Sequence, residues 1–290
     1  MRVSINININ NHAWPAPVRD GLGRAVGAAD EVGVDTVWIG DHLLAVDPNQ
    51  RLEDDTLEAY VTLGFLAART ERVRLGTMVT GVTFRPPALL VKAVTTLDVL
   101  SGGRAWLGVG AGYHRVEADM MGLPLPPVAE RFERLAETLR IARRMWSGDE
   151  SPVHSEHYRL DRPLAHPAPL SRPHPPVLIG GMGERRTLPL VAEYADACNL
   201  FDIPDGGRTL RHKLAVLAEH CERLGRPFDA IEKTVSTRLE DGEPGEEFAK
   251  RCAALAEIGI EHVVVIQNRP WTPADVARLA PAVALDSRER

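Results

Sequence analysis

The chain has 290 residues, of which 44% are hydrophobic and 26% charged, so it can bury the core of one large barrel or two modest domains. A formal net charge of −6 gives no reason to expect a nucleic-acid or acidic-membrane partner. Three scattered cysteines lack metal-ligand spacing, the first residues lack the apolar run of a signal peptide, and no stretch approaches the roughly 18 apolar residues of a membrane helix. These features predict a soluble, cytoplasmic protein.

Apolar residues switch repeatedly between strand-like and helix-like spacing along the chain. Strands are predicted at 3–10, 34–39, 73–80, 104–112, 176–180, 196–200, 232–238 and 261–266. Helices are predicted at 19–32, 56–70, 86–103, 129–146, 184–194, 207–224, 246–257 and 273–284. Eight alternating units predict a parallel sheet, and the chain length favours a closed (β/α)₈ TIM barrel, one α/β domain spanning 1–290, over an open doubly wound sheet.

One segment interrupts this alternation. Residues 147–175 are rich in proline, histidine and serine and are too long for a plain barrel connection, so we predict an insertion between units four and five. Its histidines match no usual metal-ligand spacing and are interpreted as surface residues: His154, His157, His166 and His174. No metal site is predicted.

The active site of such a barrel lies at the C-terminal ends of its strands. Polar, small and aromatic residues follow most of the predicted strands. They include Asn8, Asn10, Asn11 and His12 after the first strand, Asp41 and His42 after the second, Phe84 and Arg85 after the third, Tyr113 and His114 after the fourth, and Asn199 in the sixth. Each has a structural alternative, since Asp41 could cap a turn and His42 could pack under a loop. Their convergence on one face nevertheless predicts a site.

Glycines are concentrated after the fourth strand, in LGVGAGYH. The dinucleotide-binding pattern would require a glycine at Tyr113 and a helix directly afterwards, and the sequence predicts neither. Gly108, Gly110 and Gly112 are therefore interpreted as positions that let a flat or bulky group approach the backbone.

A second glycine-rich turn, IGGMGERRT, follows the fifth strand and leads into a helix that begins near Arg185 and Arg186. Exposed backbone N–H groups and the helix dipole favour an anion site here. The alternative is a tight turn with two solvated arginines. The anion site is the favoured interpretation, because barrels of this class often bind phosphate in their later loops.

Several long blocks resemble a known family, in the family's own order. They are GVDTVWIGDHLL, RVRLGTMVTGVTFRPPALLVKAVTTLDVLSGGRAWLGVGAGYH, ERFERLAETLRIARRMWSGD and PPVLIGGMGERRTLPLVAEYADACNLF. Together they resemble the luciferase-like monooxygenase superfamily, specifically its deazaflavin (coenzyme F420)-dependent oxidoreductase branch. The resemblance implies a (β/α)₈ barrel with an insertion and a flavin or deazaflavin at its C-terminal mouth. FMN is the alternative cofactor, because FMN-using members share much of the pattern.

The resemblance also implies roles for particular residues. Asp41 and His42 are expected near the reactive ring, and a non-prolyl cis peptide is expected at Met78–Val79. The expected cofactor-binding residues are Asp41, Met78, Val79, Thr80, Gly110, Ala111, Gly112, Tyr113, His114, Gly180, Gly181, Met182, Gly183, Arg185 and Asn199. The last six of these are expected beside the phosphate tail.

The resulting hypothesis is an enzyme that transfers a hydride between the deazaflavin C5 and a small organic substrate. His42 is expected to transfer the proton, Asp41 to orient the pocket, and His114 to be the competing acid or base. The alternatives are an FMN-dependent monooxygenase and a non-catalytic flavin-binding protein on the same fold. A metal-dependent barrel hydrolase is disfavoured, since the first strand carries no His-x-His pair. A homodimer is left open.

Overall fold

The computed structural model describes residues 1–7, 14, 17–45 and 51–285. The strands are β1 Arg2–Ile7, β2 Thr36–Ile39, β3 Arg74–Thr77, β4 Thr80–Gly81, β5 Leu107–Gly110, β6 Val153–His154, β7 Arg159–Leu160, β8 Val177–Gly180, β9 Ala197–Phe201, β10 Glu232–Arg238 and β11 His262–Ile266. The helices are α1 Val18–Val32, α2 Ala59–Ala67, α3 Pro87–Ser101, α4 Arg115–Met121, α5 Val128–Trp146, α6 Thr187–Tyr194, α7 Arg208–Leu224, α8 Gly245–Glu257, α9 Pro273–Ala277 and α10 Ala280–Val283.

Nine of these strands form one parallel sheet that closes into a barrel. Its order runs from β3 through β2, β1, β11, β10, β9, β8 and β5 to β4. The N–H of Leu75 donates to the Arg104 carbonyl and the N–H of Trp106 donates to the Leu75 carbonyl, both at 2.8 Å, which joins the two ends of the sheet. Since β3 and β4 are one strand interrupted at Met78–Val79, the barrel has eight strands in the described residues, and the predicted TIM-barrel fold is confirmed.

A separate apolar cluster inside the barrel contains two indole rings. Trp38 and Trp106 lie with their ring centroids 5.6 Å apart, and Met78 and Val79 pack above them. Gly76 is required beside them, because a Cβ at this position would come within 2.7 Å of both tryptophans. The larger apolar core lies between the sheet and the surrounding helices. The C-terminal mouth is therefore the open end of the barrel.

Three local predictions were wrong. A helix that the sequence did not predict, α4, begins directly after the glycine-rich fourth strand. The predicted helix 273–284 divides into α9 and α10, and the helix predicted from residue 56 begins only at Ala59. The predicted strand 3–10 is seen as far as Ile7, while its last residues and the polar positions 8 and 10–12 lie outside the described part of the chain.

The segment between α5 and β8 contains the short antiparallel pair β6–β7 and several proline turns. Its histidines contact different partners: His157 lies 3.1 Å from a Glu133 carboxylate oxygen, and His174 stacks on Trp146. That this segment is an insertion in a single domain remains a prediction. Within the described ranges, each helix is too short or too polar to cross a lipid bilayer.

Candidate active site

A cavity of about 500 Å³ opens at the C-terminal ends of the barrel strands. Most of the predicted site residues line it: Asp41, His42, Met78, Val79, Gly110, Ala111, Gly112, Tyr113, Gly180, Gly181 and Asn199. Thr80, His114, Met182, Gly183 and Arg185 lie nearby but outside the lining. Asn6, Ser236 and Ile266 line it as well, so residues at the ends of all eight strands meet at one cavity. This position matches the usual site of a TIM barrel.

The predicted cis peptide at Met78–Val79 is confirmed. The Val79 side chain lies between two glycines, since a Cβ at Gly110 would be 3.0 Å from it and a Cβ at Gly180 would be 3.1 Å from it. A Cβ at Gly108 would lie 1.7 Å from the Thr77 carbonyl oxygen. The interpretation of Gly108 as an opening for a bulky group was therefore wrong, because this glycine makes room for the protein's own chain. Gly110 makes room for Val79 and also lines the cavity.

Asp41 is fully engaged by neighbouring side chains. The Arg85 guanidinium donates to both carboxylate oxygens, at 2.5 and 3.1 Å, and the Thr80 hydroxyl donates to one of them at 2.7 Å. Arg85 also contacts Glu58 and lies over the Tyr60 ring. Burial lowers the pKa of Arg85, but the bonds from Asp41 and Glu58 outweigh it and raise the pKa above its ordinary value. Asp41 therefore holds the wall of the cavity in place.

His42 points away from Asp41 and pairs with a residue that the sequence analysis did not select. Its Nδ1 lies 2.8 Å from a carboxylate oxygen of Glu117, which is completely buried. The other oxygen accepts the backbone N–H groups of Leu43 at 2.5 Å and Leu44 at 3.4 Å. Burial raises the pKa of Glu117, but the bond from His42 and the two N–H groups lower it below its ordinary value. The ionised carboxylate holds the proton on Nδ1, so Nε2 is the basic nitrogen of the ring.

His114 is used differently, as the N-cap of α4. Its Nδ1 accepts the backbone N–H of Glu117 at 3.1 Å, so the neutral ring carries its proton on Nε2. The rings of Phe84, Tyr113 and His114 stand edge-on to His42, with centroids 5.7 to 6.4 Å away. An imidazole that must keep Nδ1 bare to cap a helix is a poor general base, and this geometry favours His42.

Two N–H groups at the start of α6 are already bonded within the glycine turn. The N–H groups of Thr187 and Leu188 donate to the Gly183 carbonyl, at 2.9 and 3.0 Å, so these two groups are not exposed to an anion. Arg185 is exposed, and the Arg186 guanidinium lies over the Phe132 ring. The charge that does line the cavity on this side belongs to Arg131 of α5.

The Arg131 guanidinium has a nitrogen that is hydrogen-bonded within the protein and another that is buried without a partner among the described residues. It donates through Nη1 to the Gly112 carbonyl, while its buried Nε has no partner in the part of the chain that the structure describes. The Oδ1 of Asn6, which also lines the cavity, is buried without a partner in the same sense. Such atoms usually have a hydrogen-bond partner, so they mark where a polar ligand would bind.

Comparison with known proteins identifies the family. The model of the family described as luciferase-like monooxygenase matches residues 1–287. The chain belongs to this family. It is 32% identical to an F420-dependent glucose-6-phosphate dehydrogenase of Kineococcus radiotolerans, over 89% of this chain and 74% of that protein. A protein of the same description from Beutenbergia cavernae is 31% identical, over 94% of this chain and 95% of its own length.

Solved structures agree with this assignment of the fold. An F420-dependent secondary alcohol dehydrogenase, solved with an F420–acetone adduct, superposes on this luciferase-like protein with a TM-score of 0.81. It shares 18% sequence identity, and the superposition covers 97% of this chain and 98% of that one. Similarity at this level of identity supports the shared barrel fold.

Two residues of the site escaped the sequence analysis. Glu117 stands three positions after His114, at the third position of α4. A glutamate there often belongs to a capping box, and this was the one feature of the sequence that could have drawn attention to it. Here its side chain reaches His42 instead. Arg131 had no comparable signal, since α5 carries several other charged residues.

Proposed function

We propose that the protein is a coenzyme F420-dependent oxidoreductase that transfers a hydride between the deazaflavin and a small organic substrate. The family match and the F420-dependent relatives support the cofactor. The observation that carries the proposal is the His42–Glu117 pair, which presents an oriented imidazole at the wall of a cavity that also contains the Met78–Val79 bulge. A protein that only stores a flavin has no need of such a group.

The described residues fit a large anionic cofactor. The unsatisfied Arg131 Nε and Asn6 Oδ1 would meet its polar edges, and exposed Arg185 would add positive charge toward its tail. The cofactor-binding residues that the family resemblance implies are retained in this proposal: Asp41, Met78, Val79, Thr80, Gly110, Ala111, Gly112, Tyr113, His114, Gly180, Gly181, Met182, Gly183, Arg185 and Asn199. The bound deazaflavin supplies a carbon that accepts or returns a hydride.

His42 manages the proton that accompanies the hydride. In the oxidation of an alcohol, two electrons leave the carbinol carbon with the hydride, and Nε2 of His42 takes the hydroxyl proton, which leaves a carbonyl product. Glu117 holds the opposite nitrogen and stabilises the imidazolium that forms. In the reverse direction the same nitrogen returns the proton to the carbonyl oxygen.

Asp41 acts through its neighbours. Its bonds to Arg85 and Thr80 hold the end of β2 next to the strand interruption, and this placement fixes the main chain from which His42 projects. The expected role of Asp41 as an orienting residue is retained, and His114 becomes the weaker candidate for proton transfer, because its Nδ1 is committed to the cap of α4.

A direct titration tests the cofactor. The protein is titrated separately with coenzyme F420 and with FMN, and the fluorescence of each ring is followed. We expect tighter binding of F420, since its longer anionic tail can use the positive charge of Arg131 and Arg185. Equal or tighter binding of FMN would overturn the assignment in favour of the FMN-dependent alternative.

A further inference from the structure

A group of metal-ligating side chains lies outside the lining of the cavity, between helix α5 and the β6–β7 hairpin. Glu133 of α5 and Glu156 and His157 of the hairpin turn each offer one ligand atom, and these atoms all lie within 4.8 Å of one another. We propose that the three side chains bind one zinc ion, which fastens the hairpin to α5. The inference is independent of the proposed hydride transfer.

His157 supplies the nitrogen ligand. Its side chain is only 9% exposed, and its Nε2 lies 3.1 Å from a carboxylate oxygen of Glu133. Around a tetrahedral zinc ion with ligands at about 2.0–2.2 Å, neighbouring ligand atoms lie about 3.3–3.6 Å apart. The imidazole is therefore already in place, and small rotations of the exposed Glu133 and Glu156 side chains would complete the site.

Negative charge accumulates around this imidazole. Glu137, one helical turn after Glu133, is buried, and its carboxylate accepts the Ser155 hydroxyl at 2.6 Å and the N–H of His157 at 3.3 Å. Among the described residues, the one ion pair that Glu133, Glu137 or Glu156 forms is the contact of Glu133 with His157. Three carboxylates thus meet one imidazole, and a divalent cation would offset their charge.

The donor atoms select the kind of metal. Calcium and magnesium ions take oxygen ligands, whereas an imidazole nitrogen together with carboxylate oxygens suits zinc. Zinc is usually four-coordinate, so three protein ligands leave the fourth position to water. The spacing of the histidines along the chain could not indicate this group, because Glu133 and His157 lie 24 positions apart on different elements.

The hairpin is an element that such an ion would stabilise. Strands β6 and β7 pair over only two residues each, and an isolated two-stranded hairpin is marginally stable in water. A cavity of about 340 Å³ is lined by α5 and residues 152–155, so packing does not fill the space between the helix and the hairpin. A metal ion bound by residues of both elements would add its binding free energy to the stability of this segment.

Metal titration of the wild-type protein tests the inference. Protein freed of metal by a chelator is titrated with Zn²⁺ in competition with a chromophoric chelator, and Tm is measured with Zn²⁺, Ca²⁺ or Mg²⁺ at one concentration. We expect one zinc ion per chain and, at a Zn²⁺ concentration a hundredfold above Kd, a rise in Tm of about 5 °C. A lack of stoichiometric binding, or equal shifts with all three ions, would overturn the inference. This comparison does not depend on the folding of any variant.

Matched substitutions locate the ion. Glu156→Gln and His157→Gln should each lower the affinity for Zn²⁺ at least tenfold, because loss of an outer-shell partner alone costs about 10–100-fold. His166→Gln is the control, since His166 lies 3.6 Å from Glu150 in another histidine–carboxylate pair of the same segment, one outside the three-ligand group. This control should keep the affinity within about threefold of wild type. An unchanged affinity in folded His157→Gln, or an equal loss in His166→Gln, would show that zinc binds elsewhere and contradict the inference.

Discussion

Replacing Glu117 by glutamine tests the central feature of the site with the smallest possible change in shape. One carboxylate oxygen of Glu117 accepts the Leu43 N–H at 2.5 Å, and the other lies 2.8 Å from His42 Nδ1. A glutamine can keep the acceptor toward Leu43 only by turning its amide NH₂ toward His42. An amide donor at that position requires a bare Nδ1, so the imidazole proton moves to Nε2 and the ring can no longer take a proton there.

The size of the effect follows from this geometry. Loss of a positioned general base costs about 10²–10⁴-fold in rate, so we expect kcat for Glu117→Gln to fall within this range. The residual activity should also have a different pH dependence. The reason is that no carboxylate then lies beside Nδ1 of His42. The free energy of unfolding should fall by about 1–3 kcal/mol, because hydrogen bonds to a charged acceptor are lost.

Steady-state kinetics across pH, with an alcohol that reduces the bound coenzyme, measures both effects on turnover. Coenzyme titration and circular dichroism establish that the variant is folded and loaded. Glu257→Gln, the same chemical change at an exposed position of α8, is the matched control and should leave kcat unchanged. If folded Glu117→Gln retained kcat within about threefold of wild type with the same pH profile, Glu117 would be only a structural residue and the argument for His42 would lose its basis.

The remaining predictions concern the other charged groups. His114→Asn keeps an N-cap for α4 and should lower kcat by less than about tenfold. A loss of about 10²–10⁴-fold would return the acid–base role to His114. Arg131→Met should weaken F420 binding and make this binding less dependent on salt. Titration at two ionic strengths measures both changes, and an unchanged affinity would show that Arg131 does not bind the cofactor. Burial raises the pKa of Glu232, but the hydrogen bond from buried His262 outweighs burial and lowers this pKa below the ordinary 4.5. Ionised Glu232 therefore stabilises the fold above pH 4.5, and this stabilisation is lost as the pH falls below that value. The denaturant midpoint of Glu232→Gln should therefore lie below that of wild type at neutral pH, and the difference should shrink below pH 4.5. A difference that stayed the same below pH 4.5 would contradict this reasoning.

The order and type of most elements followed from the sequence by itself. Strand and helix periodicity depends on which residues face the core, and that pattern is local, so eight units and a TIM barrel could be predicted without a structure. The ends of helix α3 could also be predicted from neighbouring residues. Pro87 lies in its first turn, and Gly102, with a φ of 75°, follows its last turn. The positions of Asp41 and His42 at a strand end, and hence at the mouth of the barrel, followed as well.

The partners of those residues were decided only by the tertiary structure. Glu117 is 75 positions from His42, and Arg85 is 44 positions from Asp41, so no local pattern connects them. Adjacent side chains at a strand end point in different directions, which is why Asp41 meets an arginine and His42 meets a glutamate. The roles of Gly108 and Gly110 were decided in the same way, because the groups that crowd them come from the neighbouring strand interruption. Which nitrogen of His42 is basic thus depends on contacts that exist only when the barrel is closed.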